Sequence, residues 1–82
     1  MQIDDLRVIA TLADVGSFTL AAAHLGLSKS GVSQRLQALE RELGVQLFQR
    51  TTRAVRPTVD GEQLALRARR LVADADEIAA LG

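Results

Sequence analysis

A mainly α-helical domain with one small β-hairpin is what the sequence predicts, and three observations carry that prediction. Apolar residues recur at helical spacing around positions 6–13, 18–25, 32–43 and 64–78. Glycines at 16, 26 and 44 stand where helix C-termini are expected. Between the last two helical stretches, residues 47–50 and 55–58 read as short strands joined by a polar, basic connection.

The chain has 82 residues, enough for one small domain, and 48% of them are apolar. No apolar run is long enough for a transmembrane helix. Asp4 and Asp5 stand where a signal peptide would need basic residues, so none is expected. Cysteine is absent, which excludes disulfides and thiolate metal sites and permits an intracellular setting. A chain this short buries only about 60–65% of its unfolded surface, so its stability is expected to lean on a partner.

Ten basic and ten acidic side chains give a formal net charge of zero, but the charges are segregated. Residues 1–28 carry a balance of −2, residues 29–56 of +4, and residues 57–82 of −2. The basic middle comes from Lys29, Arg35, Arg41, Arg50, Arg53 and Arg56. Such a zone between acidic flanks suits a local anionic partner, although six scattered cations also make an ordinary solvated surface.

In the first helix Leu6, Ile9, Ala10 and Ala13 form one apolar stripe, with Asp4 and Asp5 in the first turn and Gly16 as the stop. Val8, Leu12 and Val15 make a second row roughly opposite, expected to stay uncovered in a lone monomer. A short helix follows from about Phe18 to Leu25, capped by Ser17 or Thr19. Gly26 supplies a left-handed turn, Leu27 fills the angle, and Ser28 caps the next helix, which runs to about Glu42. Its core stripe is Val32, Leu36, Leu39 and Leu43, while Ser30, Ser33, Gln34, Gln37 and Arg41 share the far face. Pro57 cannot donate to a strand ladder, so it must take an edge or non-bonded position in the hairpin. Thr58 can cap a last helix from about Val59 to Leu81, where Leu64, Ala68, Leu71, Ala75 and Ile78 form a heptad-like seam.

A short helix, a glycine turn, a longer helix with a polar outer face and a basic hairpin describe a winged helix-turn-helix. This is a three-helix core plus a two-stranded β wing, followed here by a long C-terminal helix. The major groove of DNA admits one helix, whose exposed N-terminal residues must reach base edges by hydrogen bonding. Lys29, Ser30, Ser33 and Gln34 have that chemistry. A Ser/Gln face equally suits plain solvation, and the face alone leaves both readings open.

The run Phe18–Ser28 (FTLAAAHLGLS) resembles the first half of the helix-turn-helix of LysR-type transcriptional regulators. SQRLQALE over 33–40, LGV over 43–45, LFQR over 47–50, TTR over 51–53 and TVDG over 58–61 continue the same signature in order. The resemblance covers essentially the whole chain. It implies an N-terminal DNA-binding domain, here 1–58, and a linker/dimerisation helix, here 59–82, with the effector-binding domain absent from this chain. It implies cytoplasmic action on a double-stranded DNA operator, no membrane partner, and no cofactor in this chain, because a small-molecule effector would bind the missing domain. It further implies a homodimer through the C-terminal helix, with higher oligomers open to a full-length protein.

Residue by residue, the resemblance places base contacts at Lys29, Ser30, Ser33 and Gln34 and a minor-groove contact at Arg53. DNA backbone contacts fall on Ser17, Thr19, Ser28, Gln37, Arg50 and Thr52. For the dimer, two linker helices pack antiparallel and each lies against the partner's first helix, which assigns Val8, Leu12, Val15, Leu64, Ala68, Leu71, Ala75 and Ile78 to the interface. Lys29, Gly31 and Pro57 depart from the residues common in the family; Gly31 loosens the helix start by about 1 kcal/mol relative to alanine, and because of Lys29 no base preference transfers with the resemblance. Ser17, Thr19 and Ser28 are helix caps in the first instance, and capping is compatible with phosphate contact. Arg35 reads as a salt-bridge or phosphate residue and His24 as ordinary surface. Arg67, Arg69 and Arg70 read as solubility or pairing residues. No nucleophile–base pair, phosphate loop or metal cluster points to an enzyme; a helical interaction module without DNA contact is the remaining alternative.

Overall fold

The computed structural model describes residues 1–51 and 54–82; Thr52 and Arg53 lie outside the described residues. Among these, the order is α1 (Ile3–Val15), α2 (Phe18–Leu25), α3 (Lys29–Leu43), β1 (Phe48–Arg50), β2 (Val55–Pro57) and α4 (Val59–Ala80). The four helix starts and the first three helix ends have local causes. The Asp5 carboxylate accepts the Gln2 N–H at 2.9 Å, while Ser17, Ser28 and Thr58 accept from Leu20, Gly31 and Gly61 at 3.2, 2.9 and 3.1 Å. Gly16, Gly26 and Gly44 end the first three helices in the left-handed conformation, at φ 64°, 67° and 70°.

Helices α1, α2 and α3 enclose one core in which Val8, Ile9, Leu12, Val32, Leu36 and Leu47 are fully buried. Phe18, Ala21, Ala22, Leu39, Phe48 and Ala65 complete it. Leu43 ends the expected α3 stripe but stays exposed, as the last residue of the helix.

The structure corrects the expectation for the second apolar row of α1. Val8 and Leu12 are covered within the single chain, at 2% and 0% exposure, and half-buried Val15 packs against the same core. The opposite row is covered as well: Leu6 and Ala10 pack against Ala68, with Leu64 and Val72 alongside. Helix α1 therefore lies between the helix-turn-helix on one side and α4 on the other, so both its rows are consumed inside the monomer. Neither Val8 nor Leu12 is free to meet a partner.

Two ion pairs fix the direction of α4. Arg7 on α1 holds Asp76 through two hydrogen bonds, at 2.6 and 3.4 Å, and Arg69 holds Asp14 at 2.6 and 3.1 Å. As α1 advances from 7 to 14, its partners on α4 recede from 76 to 69, so the helices run antiparallel. The hydrogen bonds from Arg7 hold the Asp76 carboxyl below its ordinary range, and Arg7 itself is raised by the same contact. The expected α4 seam is divided by this packing. Ala68 is buried and Leu64 and Ala75 are half-buried, whereas Leu71 and Ile78 remain exposed.

Strands β1 and β2 pair antiparallel, with Phe48 opposite Pro57, Gln49 opposite Arg56 and Arg50 opposite Val55. The backbone bonds Thr51 N–H to Ala54 C=O and Thr58 N–H to Leu47 C=O flank this ladder. Bonded and non-bonded pairs alternate, so Phe48–Pro57 is a non-bonded pair, and the missing N–H of Pro57 costs the ladder nothing. The Val55 N–H points the other way and reaches the Gly16 carbonyl at 3.5 Å, which ties the wing to the α1–α2 turn. On the other side Thr58 donates its hydroxyl to the Gln46 carbonyl at 2.7 Å, and Gly61 of α4 lies directly on the Leu47 carbonyl.

Candidate functional site

The polar face expected of α3 forms, and the fold sets the wing beside it. Val32, Leu36 and Leu39 point inward and fix the rotation of α3, which leaves Lys29, Ser30, Gln34 and Gln37 exposed and Ser33 half-buried. Ser28, at the helix start, spends its hydroxyl on the Gly31 N–H and lies 3.3 Å from Ser30 Oγ.

Two shallow depressions flank Lys29. One, of about 510 Å³, is lined by Phe18, Ser28, Lys29, Ser30, Ser33 and Arg50. The other, of about 330 Å³, includes Ser17, Thr19, Lys29 and Thr51 in its lining. No carboxylate lines either one. The α2 start, the α3 start and the wing root thus converge on a surface of hydroxyls, amides and cations. Its N–H and O–H donors and positive charge suit phosphate oxygens and base acceptors.

Ser17, Thr19, Ser28, Lys29, Ser30, Ser33 and Arg50 are brought together here, with Gln34 and Gln37 further along the same helix. Thr52 and Arg53 lie outside the described residues. The eight dimer positions do not form one surface: Val8, Leu12 and Ala68 are interior, and Leu71 and Ile78 lie on open α4. Arg35 is 3.7 Å from Asp5, a salt bridge between α3 and the start of α1. His24 is exposed on α2. Among the described residues no cluster of three or more His, Cys, Asp or Glu could hold a metal, and no helix is long and apolar enough to cross a membrane.

Two contributors were not legible in the sequence. Glu40 accepts the Leu47 N–H at 2.7 Å and the Phe48 N–H at 3.4 Å, which fixes the start of the wing to α3. A carboxylate near a helix C-terminus opposes the helix dipole, and that mismatch was the available signal that Glu40 has another partner. Phe18, at 8% exposure, belongs to the core. Yet its ring also carries the Arg50 guanidinium, 4.5 Å from the centroid.

The model of the family described as "Bacterial regulatory helix-turn-helix protein, lysR family" matches residues 3–62. The chain is 51% identical over 63 residues, 77% of its length, to the HTH-type transcriptional regulator AbaB of Streptomyces antibioticus. It is 46% identical over 80 residues, 94% of its length, to an HTH-type transcriptional repressor of Pseudomonas aeruginosa strain UCBPP-PA14. The matches span only 21% and 25% of these two relatives. Among solved structures it is similar to BenM DBD in complex with catB site 1 DNA, with TM-score 0.92 and 32% identity over 99% of this chain and 90% of that one.

Proposed function

The chain belongs to the lysR family of bacterial regulatory helix-turn-helix proteins, and from that premise we propose that it binds double-stranded DNA sequence-specifically as the DNA-reading part of a transcription regulator. Its named relatives are regulators, not enzymes. Helix α3 enters the major groove by its N-terminal end, where Lys29, Ser30, Ser33 and Gln34 face base edges. The wing lies on the minor groove or backbone, and Arg53, which falls between its two strands in the sequence, is assigned the minor-groove contact. Ser17, Thr19, Ser28, Gln37, Arg50 and Thr52 serve the phosphates. Residues 1–58 are the DNA-binding unit and 59–82 the linker helix; the setting is cytoplasmic, and no cofactor is part of this reading.

The observation that carries it is the convergence of the α3 N-terminal face with the cationic wing root around two depressions that no carboxylate lines. Selection of bound sequences from a random duplex pool, at several salt concentrations, tests it directly. A sequence-specific protein enriches one pattern, and its affinity falls steeply as salt rises. Within that pattern Gln34→Ala is expected to relax preference at one base pair by about 1–3 kcal/mol while nonspecific affinity holds. A uniform loss over all sequences would remove Gln34 from the base-reading set.

We further propose that the chain acts as a homodimer through α4. Leu71 and Ile78, at 51% and 68% exposure, form an apolar row beside the stripe that faces α1. Exposed rows of this kind mark interfaces, and a two-fold pair presents two α3 helices to half-sites about 34 Å apart. Leu71→Asp is expected to shift sedimentation toward monomer and weaken operator binding, with the circular dichroism spectrum unchanged. A wild type that sediments as a monomer at micromolar concentration rules the arrangement out.

A further inference from the structure

We propose that Arg50 is a positioning residue for base reading: it fixes the Ser33 hydroxyl as a hydrogen-bond donor toward the groove, so that Ser33 selects a keto base, guanine or thymine, over an amino base. The inference rests on the DNA-binding reading above and, for Arg50 alone, replaces the phosphate role given there with a positioning one.

Arg50 Nη2 lies 2.8 Å from Ser33 Oγ. A guanidinium has donors only, so in this bond the serine oxygen accepts. No other hydrogen bond engages Ser33 Oγ among the described residues, so the hydroxyl keeps its proton and one lone pair. The adjacent positive charge strengthens that proton as a donor and weakens the oxygen as a second acceptor. Ser33 sits one turn into α3, beside exposed Gln34 on the face assigned to the groove.

Arg50 is held in place rather than free to swing. It rises from β1, and its guanidinium covers the Phe18 ring, which is itself packed into the core of α1, α2 and α3. Among the described residues no carboxylate forms a salt bridge with it, so no ion pair competes with Ser33 for its donors. One side chain thus spans the wing, the start of α2 and the recognition face. In the groove guanine O6 and thymine O4 accept, whereas adenine N6 and cytosine N4 donate. Where the hydroxyl meets this exocyclic position, rather than the N7 acceptor that both purines share, a donor discriminates between the two classes.

The test is selection from a random duplex pool by the whole chain, as wild type, Arg50→Met, Ser33→Ala and the double variant, each with a thermal melt. Methionine keeps an apolar stem on Phe18 and removes every donor. One base pair is expected at which the wild type favours a keto base about tenfold. That preference is lost in both single variants, and the double variant loses no more than either, as coupled residues require. If Arg50→Met keeps the preference but binds all sequences more weakly with a salt slope lower by about 0.9, Arg50 is a phosphate contact and the proposal fails. Should Arg50→Met not fold, Ser33→Ala poses the same question from the other partner, and a keto preference that survives it overturns the proposal. A wild type that enriches no sequence instead overturns the underlying DNA-reading function, an outcome distinct from the other two.

Discussion

Truncating Leu12 to alanine is expected to destabilise the folded monomer by about 2–5 kcal/mol, the range for a buried leucine whose surroundings collapse only in part. Leu12 has 0% exposure and shares the main core with Val8, Ile9, Val32 and Leu36. A domain of this size has a total stability of roughly 5–15 kcal/mol, so the variant would lose a large fraction of it. Chemical denaturation at concentrations well below any self-association reads the effect without contribution from a dimer. The result separates two roles for this residue. An interface leucine leaves the dilute monomer as stable as before, whereas a core leucine lowers the denaturation midpoint at every protein concentration. An unchanged midpoint at high dilution would contradict the placement of α1 between the helix-turn-helix and α4.

Gly61→Ala is expected to lower stability by about 1–3 kcal/mol, the usual cost of overpacking. At an unconstrained helix position the same change gains about 1 kcal/mol, because alanine is the better helix former. The sign therefore reports on the contact. A Cβ at Gly61 would lie deep inside van der Waals contact with the Leu47 carbonyl oxygen and close to the Pro57 ring. Neither can move alone. Leu47 is anchored by Glu40 and is itself buried, and its carbonyl accepts the Thr58 N–H at 2.9 Å. Relief would have to come from displacing α4 or the root of the wing. At about 4–8 °C per kcal/mol for a domain of 60–100 residues, the melting temperature should fall measurably. A rise would show that α4 starts further from the wing than described.

The elements of this fold were legible because each is specified locally. The Val32–Leu36–Leu39 stripe, the caps at Ser17, Ser28 and Thr58, and the glycines at 16, 26 and 44 all act within about one helical turn of their own position. The polar face of α3 was legible for the same reason: once three apolar residues point inward, helical geometry places Lys29, Ser30, Gln34 and Gln37 outside.

What required the tertiary structure was the assignment of partners. Helix α1 shows two apolar rows in sequence, and periodicity says only that both need cover. That α4 folds back antiparallel, covers Leu6 and Ala10 and so leaves Val8 and Leu12 to the helix-turn-helix core depends on chain reversal through the wing. The same reversal decides that Ala68 is interior while Leu71 and Ile78 stay open. Arg50 is the clearest case at the candidate site. Its sequence position marks a cation on a basic wing, but Ser33 is 17 residues away and Phe18 further still. Residue type and spacing settle interactions within a helical turn. A contact between elements distant in sequence exists only once the core has fixed their relative positions, and a change of a few ångströms there exchanges one partner for another.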